Sequence, residues 1–148
     1  MKPQVWTLCL GVMLWAGLGA ASTKDIVITD PRIPERPPVA KMLAAYMTIT
    51  NTTATPRQLL SVASPDFKQI EIHQTTMHNG MAHMAAQASL PVPANGKVIL
   101  APGGLHLMLI QPLRKLRAGD TVMLNLMFDD SAALAVTVPV VQQNIPEK

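Results

Sequence analysis

Cysteine is almost missing from this chain: among 148 residues there is one, Cys9. It lies inside the first apolar run, a segment with the marks of removal, so the mature protein is expected to hold no thiol. That excludes disulfides, zinc–thiolate and iron–sulfur sites, copper centres built on cysteine, and cysteine nucleophiles. Charge is sparse too, at 14% of residues, and the net +3 is not gathered into any Lys/Arg run. Nucleic-acid binding therefore has little support. No Ser-His-acid set stands out, and no glycine-rich loop suits a phosphate. Asp66, Glu71, Asp120, Asp129 and Asp130 fall mostly at turns or on outer strand faces, where solvation accounts for them. A catalytic reading has little to build on. The excesses are ten Met and 13 Pro.

The N-terminus reads as an export signal. Lys2 supplies a positive start, and Val5 to Gly19 is free of charge. At about 15 residues this run falls short of the roughly 20 that a membrane span needs. Gly19-Ala20-Ala21 offers small residues for signal-peptide cleavage, with Ser22 as the new first residue. Retention as an uncleaved anchor is the alternative. Lipid attachment at Cys9 is disfavoured, because Trp6-Thr7-Leu8 lacks the small residue needed beside the cysteine. The expected organisation is a signal peptide over 1–21 and one domain over 22–148, exported to a bacterial periplasm.

The remainder alternates with period two and is rich in β-branched residues, which predicts short strands. They fall at 25–30, 43–51, 58–64, 69–75, 81–88, 97–100, 105–111, 121–128 and 133–140. Between them stand breakers: the proline-rich stretch from Pro31 to Pro38, Asn79-Gly80, Pro91 to Gly96, and Pro102-Gly103-Gly104. No segment sustains a helical stripe, and Leu113 to Arg117 suits one short turn at most. The expected fold class is an all-β, antiparallel Greek-key sandwich or barrel, as a single domain. Gln142 to Lys148 is expected to be a short polar tail.

Candidate chemistry gathers between residues 73 and 108, which hold all four His of the chain. Strand parity places Glu71 and His73 together on one face of their strand, with Ile70 and Ile72 on the other. On strand 105–111, Leu105, Leu107 and Leu109 take the core side, leaving His106 and Met108 together on the opposite side. Side chains two residues apart on a strand share a face, so an imidazole and a thioether there can meet one ion. The Asn79-Gly80 turn folds the segment with His83 and Met84 back towards His73. Thioethers are soft and neutral, and imidazole is borderline; two of each, without thiolate or carboxylate, match Cu(I) best among common ions. Such a set also survives an oxidising compartment. Four neutral ligands leave the ion's charge uncompensated, which suggests a site that can surrender it. The packing alternative stays open on residue chemistry alone, since Met is a common core filler. Met42, Met47, Met123 and Met127 are read as core. A non-metal envelope interaction module would bury Met84 and Met108 far from His73 and His106.

The spacing narrows the choice. His73, ten residues, Met84, twenty-one residues, His106, one residue, Met108 resembles the His-x10-Met-x21-His-x-Met signature of the periplasmic copper chaperone family PCu(A)C. Ala45 to Asn51, Ile70-Glu71-Ile72-His73, Pro102 to Leu109 and Leu116 to Val122 are similar to that family as well, and the likeness runs from about 26 to 141. The resemblance implies a cupredoxin-like Greek-key β-barrel binding one Cu(I) through His73, Met84, His106 and Met108. It also implies copper delivery for assembly of the dinuclear centre of cytochrome c oxidase. The partner would be the copper subunit of that oxidase or another periplasmic copper-handling protein. The protein would be a monomer, not an enzyme, meeting the membrane only through its partner; copper resistance or buffering is the alternative role. The tail lacks the His and Met with which some members bind a second copper. Met77, His78, Met81 and His83 around the hairpin turn are candidates for an auxiliary metal site, with plain exposed hairpin residues as the other reading.

Overall fold

The computed structural model describes residues 25–130 and 133–143. The expected export segment and most of the tail lie outside the described residues. Within them the chain forms ten strands and no helix: β1 (Ile26–Pro34), β2 (Met42–Asn51), β3 (Arg57–Ala63), β4 (Phe67–His78), β5 (Met81–Gln87), β6 (Leu90–Val92), β7 (Gly96–Leu100), β8 (Leu105–Pro112), β9 (Thr121–Phe128) and β10 (Ala133–Val141).

Alternation drives this arrangement. In β9, Val122, Leu124, Leu126 and Phe128 are buried while the residues between them are exposed; β10 repeats the pattern with Leu134, Val136, Val138 and Val140. One face of each strand leaves water, and the two-residue period puts every apolar side chain on it. The hydrogen-bonded path runs β5-β4-β8-β2-β1-β10-β9-β3-β6, with β7 added on β2. All ladders are antiparallel except β1–β10, where Ile33 sits beside Val140. The two halves of this path close on one core: Ile72, Leu107 and Leu109 from one side share a cluster with Leu124, Leu126, Val136 and Val138 from the other. The result is the Greek-key β-sandwich expected from the pattern.

The differences from the expected strands have local causes. β6 forms where Pro91 argued for a loop. It ends the sheet path and pairs only with β3, Pro91 opposite Gln58, and an edge strand tolerates a residue that cannot donate to a ladder. β1 continues through Pro31 because the register shifts between Thr29 and Arg32, with Asp30 at φ 51°. Such an irregularity absorbs the proline. β4 runs on to His78, which lengthens the hairpin beyond the core.

The methionines divide differently from the expectation that four fill the core. Met47 is buried, but Met42, Met123 and Met127 are exposed. The phase explains it: Leu43, Ala45, Met47 and Ile49 take the inner face of β2, so Met42 must point out, as Met123 and Met127 must between the buried residues of β9.

Away from the sheets, Arg114 closes one end of the sandwich. Its Nε donates to Asp66 Oδ1 at 2.6 Å and its Nη2 to the Thr121 carbonyl at 2.7 Å. The hydrogen bond with Asp66 raises the guanidinium pKa above its ordinary value.

Asn51 is the polar residue at the heart of the other end, with no exposed surface. Its Nδ2 donates to the carbonyls of Thr55 (2.8 Å) and Pro93 (3.2 Å), and its Oδ1 accepts from the Thr53 backbone N–H (3.0 Å) and Oγ1 (2.8 Å). The side chain thus satisfies backbone groups from two loops that the ladders do not reach. Asn51→Ala strands these groups in a buried setting and is expected to cost about 2–3 kcal/mol, read as a lowered urea midpoint at unchanged slope.

Candidate metal centre

The centre of interest is set by a cross-strand pair. In the β4–β8 ladder His73 stands directly opposite His106, and Glu71 opposite Met108. In the β4–β5 ladder Thr75 stands opposite Met84 and His73 opposite Ala86. Paired residues share a face, as do residues two apart. His73, Met84, His106 and Met108 therefore all lie on one side of the sheet, the side away from Ile72 and Leu107.

The two imidazoles have ring centroids 5.9 Å apart at an interplanar angle of 52°. Two rings sharing one ion through metal–nitrogen bonds of about 2.0 Å have centres no more than roughly 6.3 Å apart. The observed separation suits a common ion. His106 is 5% exposed and Met84 59%, with His73 and Met108 between them. The site is closed beneath β8 and open at β5.

Hydrogen bonds decide which nitrogens are free. The His106 Nδ1 lies 3.1 Å from the Gly104 carbonyl, which can only accept, so Nδ1 carries the hydrogen and Nε2 keeps its lone pair. The same carbonyl accepts the Thr75 backbone N–H at 3.0 Å, so one group holds both the ladder and the ring. Gly103, at φ 80°, makes the turn that aims it. On His73, Nε2 donates to Glu71 Oε2 at 2.7 Å. The ring's other nitrogen, Nδ1, is buried and has no hydrogen-bond partner. A buried lone pair without a donor is costly in a native structure, and an ion between the rings would take it up. Among the described residues no group of three or more His, Cys, Asp or Glu could hold a metal. Soft donors on this face of the sheet include the thioethers of Met84 and Met108.

Glu71 revises the sequence reading, which left it to solvent. One carboxylate oxygen is held by His73 and the other accepts from Gln69 Nε2 at 2.6 Å. A carboxylate on the far nitrogen of a ligating imidazole fixes the ring and raises its basicity. A negative charge therefore lies directly behind His73, outside the four neutral side chains. Parity alone placed Glu71 beside His73, but nothing in the sequence said that its side chain would turn along the strand.

Met42 and Tyr46 were also missed. With Ala44, Met84, His106 and Met108 they line a cavity of about 380 Å³ over the site. Tyr46 is further fixed by the Arg32 guanidinium, 5.5 Å from its ring centre. The signal for Met42 was available in the phase of β2.

The four hairpin candidates do not form one group. Met77 pairs with Ala82 and lies on the face of His73 and Met84. His78, Met81 and His83 lie on the opposite face, His78 facing Met81 and Thr76 facing His83. An odd–even split across the strand separates them.

Comparison with known proteins agrees with the fold. Residues 26–140 match the family described as "LpqE-like: Putative lipoprotein LpqE-like". The chain is 35% identical over 103 residues to "Uncharacterized protein RP573" of Rickettsia prowazekii, covering 68% of this chain and 56% of that protein. It thus spans little more than half the length of that relative. Among solved structures it is similar to Cu(I)-bound DR1885 from Deinococcus radiodurans, with 32% identity, TM-score 0.68, and coverage of 88% of this chain and 87% of the other. The copper-bound PCuAC domain of PmoF2 superposes with TM-score 0.69 over 80% of this chain and 94% of that domain, at 21% identity. The sandwich is therefore cupredoxin-like.

The ring assignments can be checked without metal. At mildly alkaline pH, where imidazole is neutral, long-range 1H–15N NMR should show His73 protonated on Nε2 and His106 on Nδ1. Glu71→Ala should abolish the preference at His73 and leave that of His106 intact.

Proposed function

Because this chain belongs to the LpqE-like family and shares the fold of PCuAC domains, we propose that it is a copper metallochaperone. It holds one Cu(I) through His73 Nδ1, His106 Nε2 and the thioethers of Met84 and Met108. The observation that carries this reading is the buried, unpartnered Nδ1 of His73 beside the ring of His106. The Cu(I) in the solved structure of DR1885 supports the choice of ion, as does the softness of the thioethers.

The copper is cargo. Three features favour release over permanent retention: all four donors are neutral, Met84 is largely exposed, and the cavity beside the site leaves room for an incoming ligand. A recipient donor can replace Met84 first, while His106 is still held by Gly104. A redox enzyme would instead need a coordination position kept for substrate. On this reading the protein acts without catalysis, as a monomer, in the periplasm after removal of residues 1–21. It supplies copper to another copper-handling protein there, the dinuclear centre of cytochrome c oxidase being the recipient favoured by its resemblance to PCu(A)C. The exposure of Met84 speaks against an interaction module in which that thioether would merely fill a core.

Anaerobic titration with Cu(I) against a competing chelator tests the site. One equivalent should bind, and Met108→Ala should weaken it by roughly tenfold or more, about 1.4 kcal/mol. Unchanged affinity and stoichiometry in that variant, or zinc competing on equal terms, would sink the assignment.

A further inference from the structure

The face of the β4–β5 hairpin turned away from the Cu(I) site carries its own donors. Asn79 and Gly80 both have positive φ, 50° and 75°, the geometry of the tight two-residue turn that locks hairpin register. That register puts Met81 opposite His78 and His83 opposite Thr76. His78 and His83 are diagonal neighbours on one face, with Met81 between them. Their ring centroids are 6.4 Å apart, at 65°.

Both imidazoles are exposed, and among the described residues neither makes a hydrogen bond or ion pair. The ring separation slightly exceeds the roughly 6.3 Å that a shared ion permits. Exposed side chains close that margin by a small rotation within their rotamer wells. Beyond Ile72 no residue of β4 is buried, so the face is open to solvent and leaves positions for water.

We infer that His78 and His83 form a second metal site, distinct from the Cu(I) centre, that chelates a divalent copper ion. Two borderline nitrogens with open water positions suit Cu(II), which stands highest among the common divalent first-row metals for such donors. Met81 adds a thioether at the edge, a weak donor to Cu(II). Strand parity keeps this ion on the opposite side of the hairpin from His73, Met84, His106 and Met108. Thus the inference does not depend on the Cu(I) reading.

The test is Cu(II) titration of the whole protein followed by electron paramagnetic resonance. A species with two imidazole nitrogens is expected near one equivalent. His78→Ala and His83→Ala should each abolish that species and lower affinity by roughly tenfold or more, because the second bond of a chelate forms intramolecularly. Met81→Ala should leave the nitrogen couplings unchanged. The double variant, altered only at exposed positions, should keep its fold by circular dichroism and its Cu(I) affinity. The same Cu(II) species and affinity in the double variant would overturn the proposal. So would single variants that each lose half the copper, the mark of two independent imidazoles.

Discussion

The site depends on a register. His73 faces His106 only because β4 and β8 pair as they do, and a slip of one residue would send every side chain of one strand to the other face. Several features hold the pairing. Ile72 opposite Leu107 and Ile70 opposite Leu109 put apolar pairs on the inner side, where Leu107 and Leu109 have no exposed surface. A slip would exchange Leu107 for His106 in the core. At the end of the ladder, the Gly104 carbonyl takes the Thr75 N–H and the His106 ring together. The core thus fixes which side chains face each other on the opposite side of the sheet.

The same parity gives β4 two characters along its length. Up to His73 one face packs Ile70 and Ile72 and the other carries Gln69, Glu71 and His73. Past that point the strand leaves the sandwich with β5, and both faces meet water. The rule that hides Ile72 then presents His78 and, across the ladder, His83. Residues 73 to 84 therefore carry His and Met side chains on two opposite sides while forming one hairpin. Proximity in sequence does not imply a single cluster here: Met77 and His78 are neighbours in the chain and point to different sides.

Much of this was legible in the sequence, for reasons that can be stated. The strand pattern was readable because nearly every strand has one dry face, and β9 shows it without a fault over eight residues. The common face of His106 and Met108 followed from the flanking leucines. The rest depended on information that periodicity does not carry. Pro91 is compatible with β6 only because that strand lies at an edge, which is a fact about its neighbours. Met42 was taken for core because apolar character was read without the phase of Leu43, Ala45 and Met47. Glu71 lay on the correct face, but its bond to His73 depends on rotamers on adjacent positions of one face. Topology, too, came from outside the pattern: period-two alternation does not say that β8 lies between β4 and β2.

Glu71 also changes the physical account of how the proposed copper would be held. Four neutral ligands alone would bring a positive ion into a half-buried site with no opposing charge, where an unpaired charge is costly. A carboxylate bound directly to the ion would offset that cost, but it would harden the site against soft ions. Placed one bond further out, on Nε2 of His73, it does something intermediate. It fixes the ring through Nε2, leaves the buried Nδ1 without a hydrogen-bond partner, and would lend negative charge through the imidazole without joining the coordination shell. The two imidazoles then differ: His73 is backed by a carboxylate and His106 by a carbonyl. On the side of β5 no such support exists, because Met84 is exposed and a thioether is a weak hydrogen-bond acceptor. Copper held as proposed would thus be bound in a graded way, firmest at the two backed imidazoles and loosest at Met84. On that proposal, a recipient approaching from the open side would meet the weakest ligand first and would take over the ion before the backed imidazoles let go.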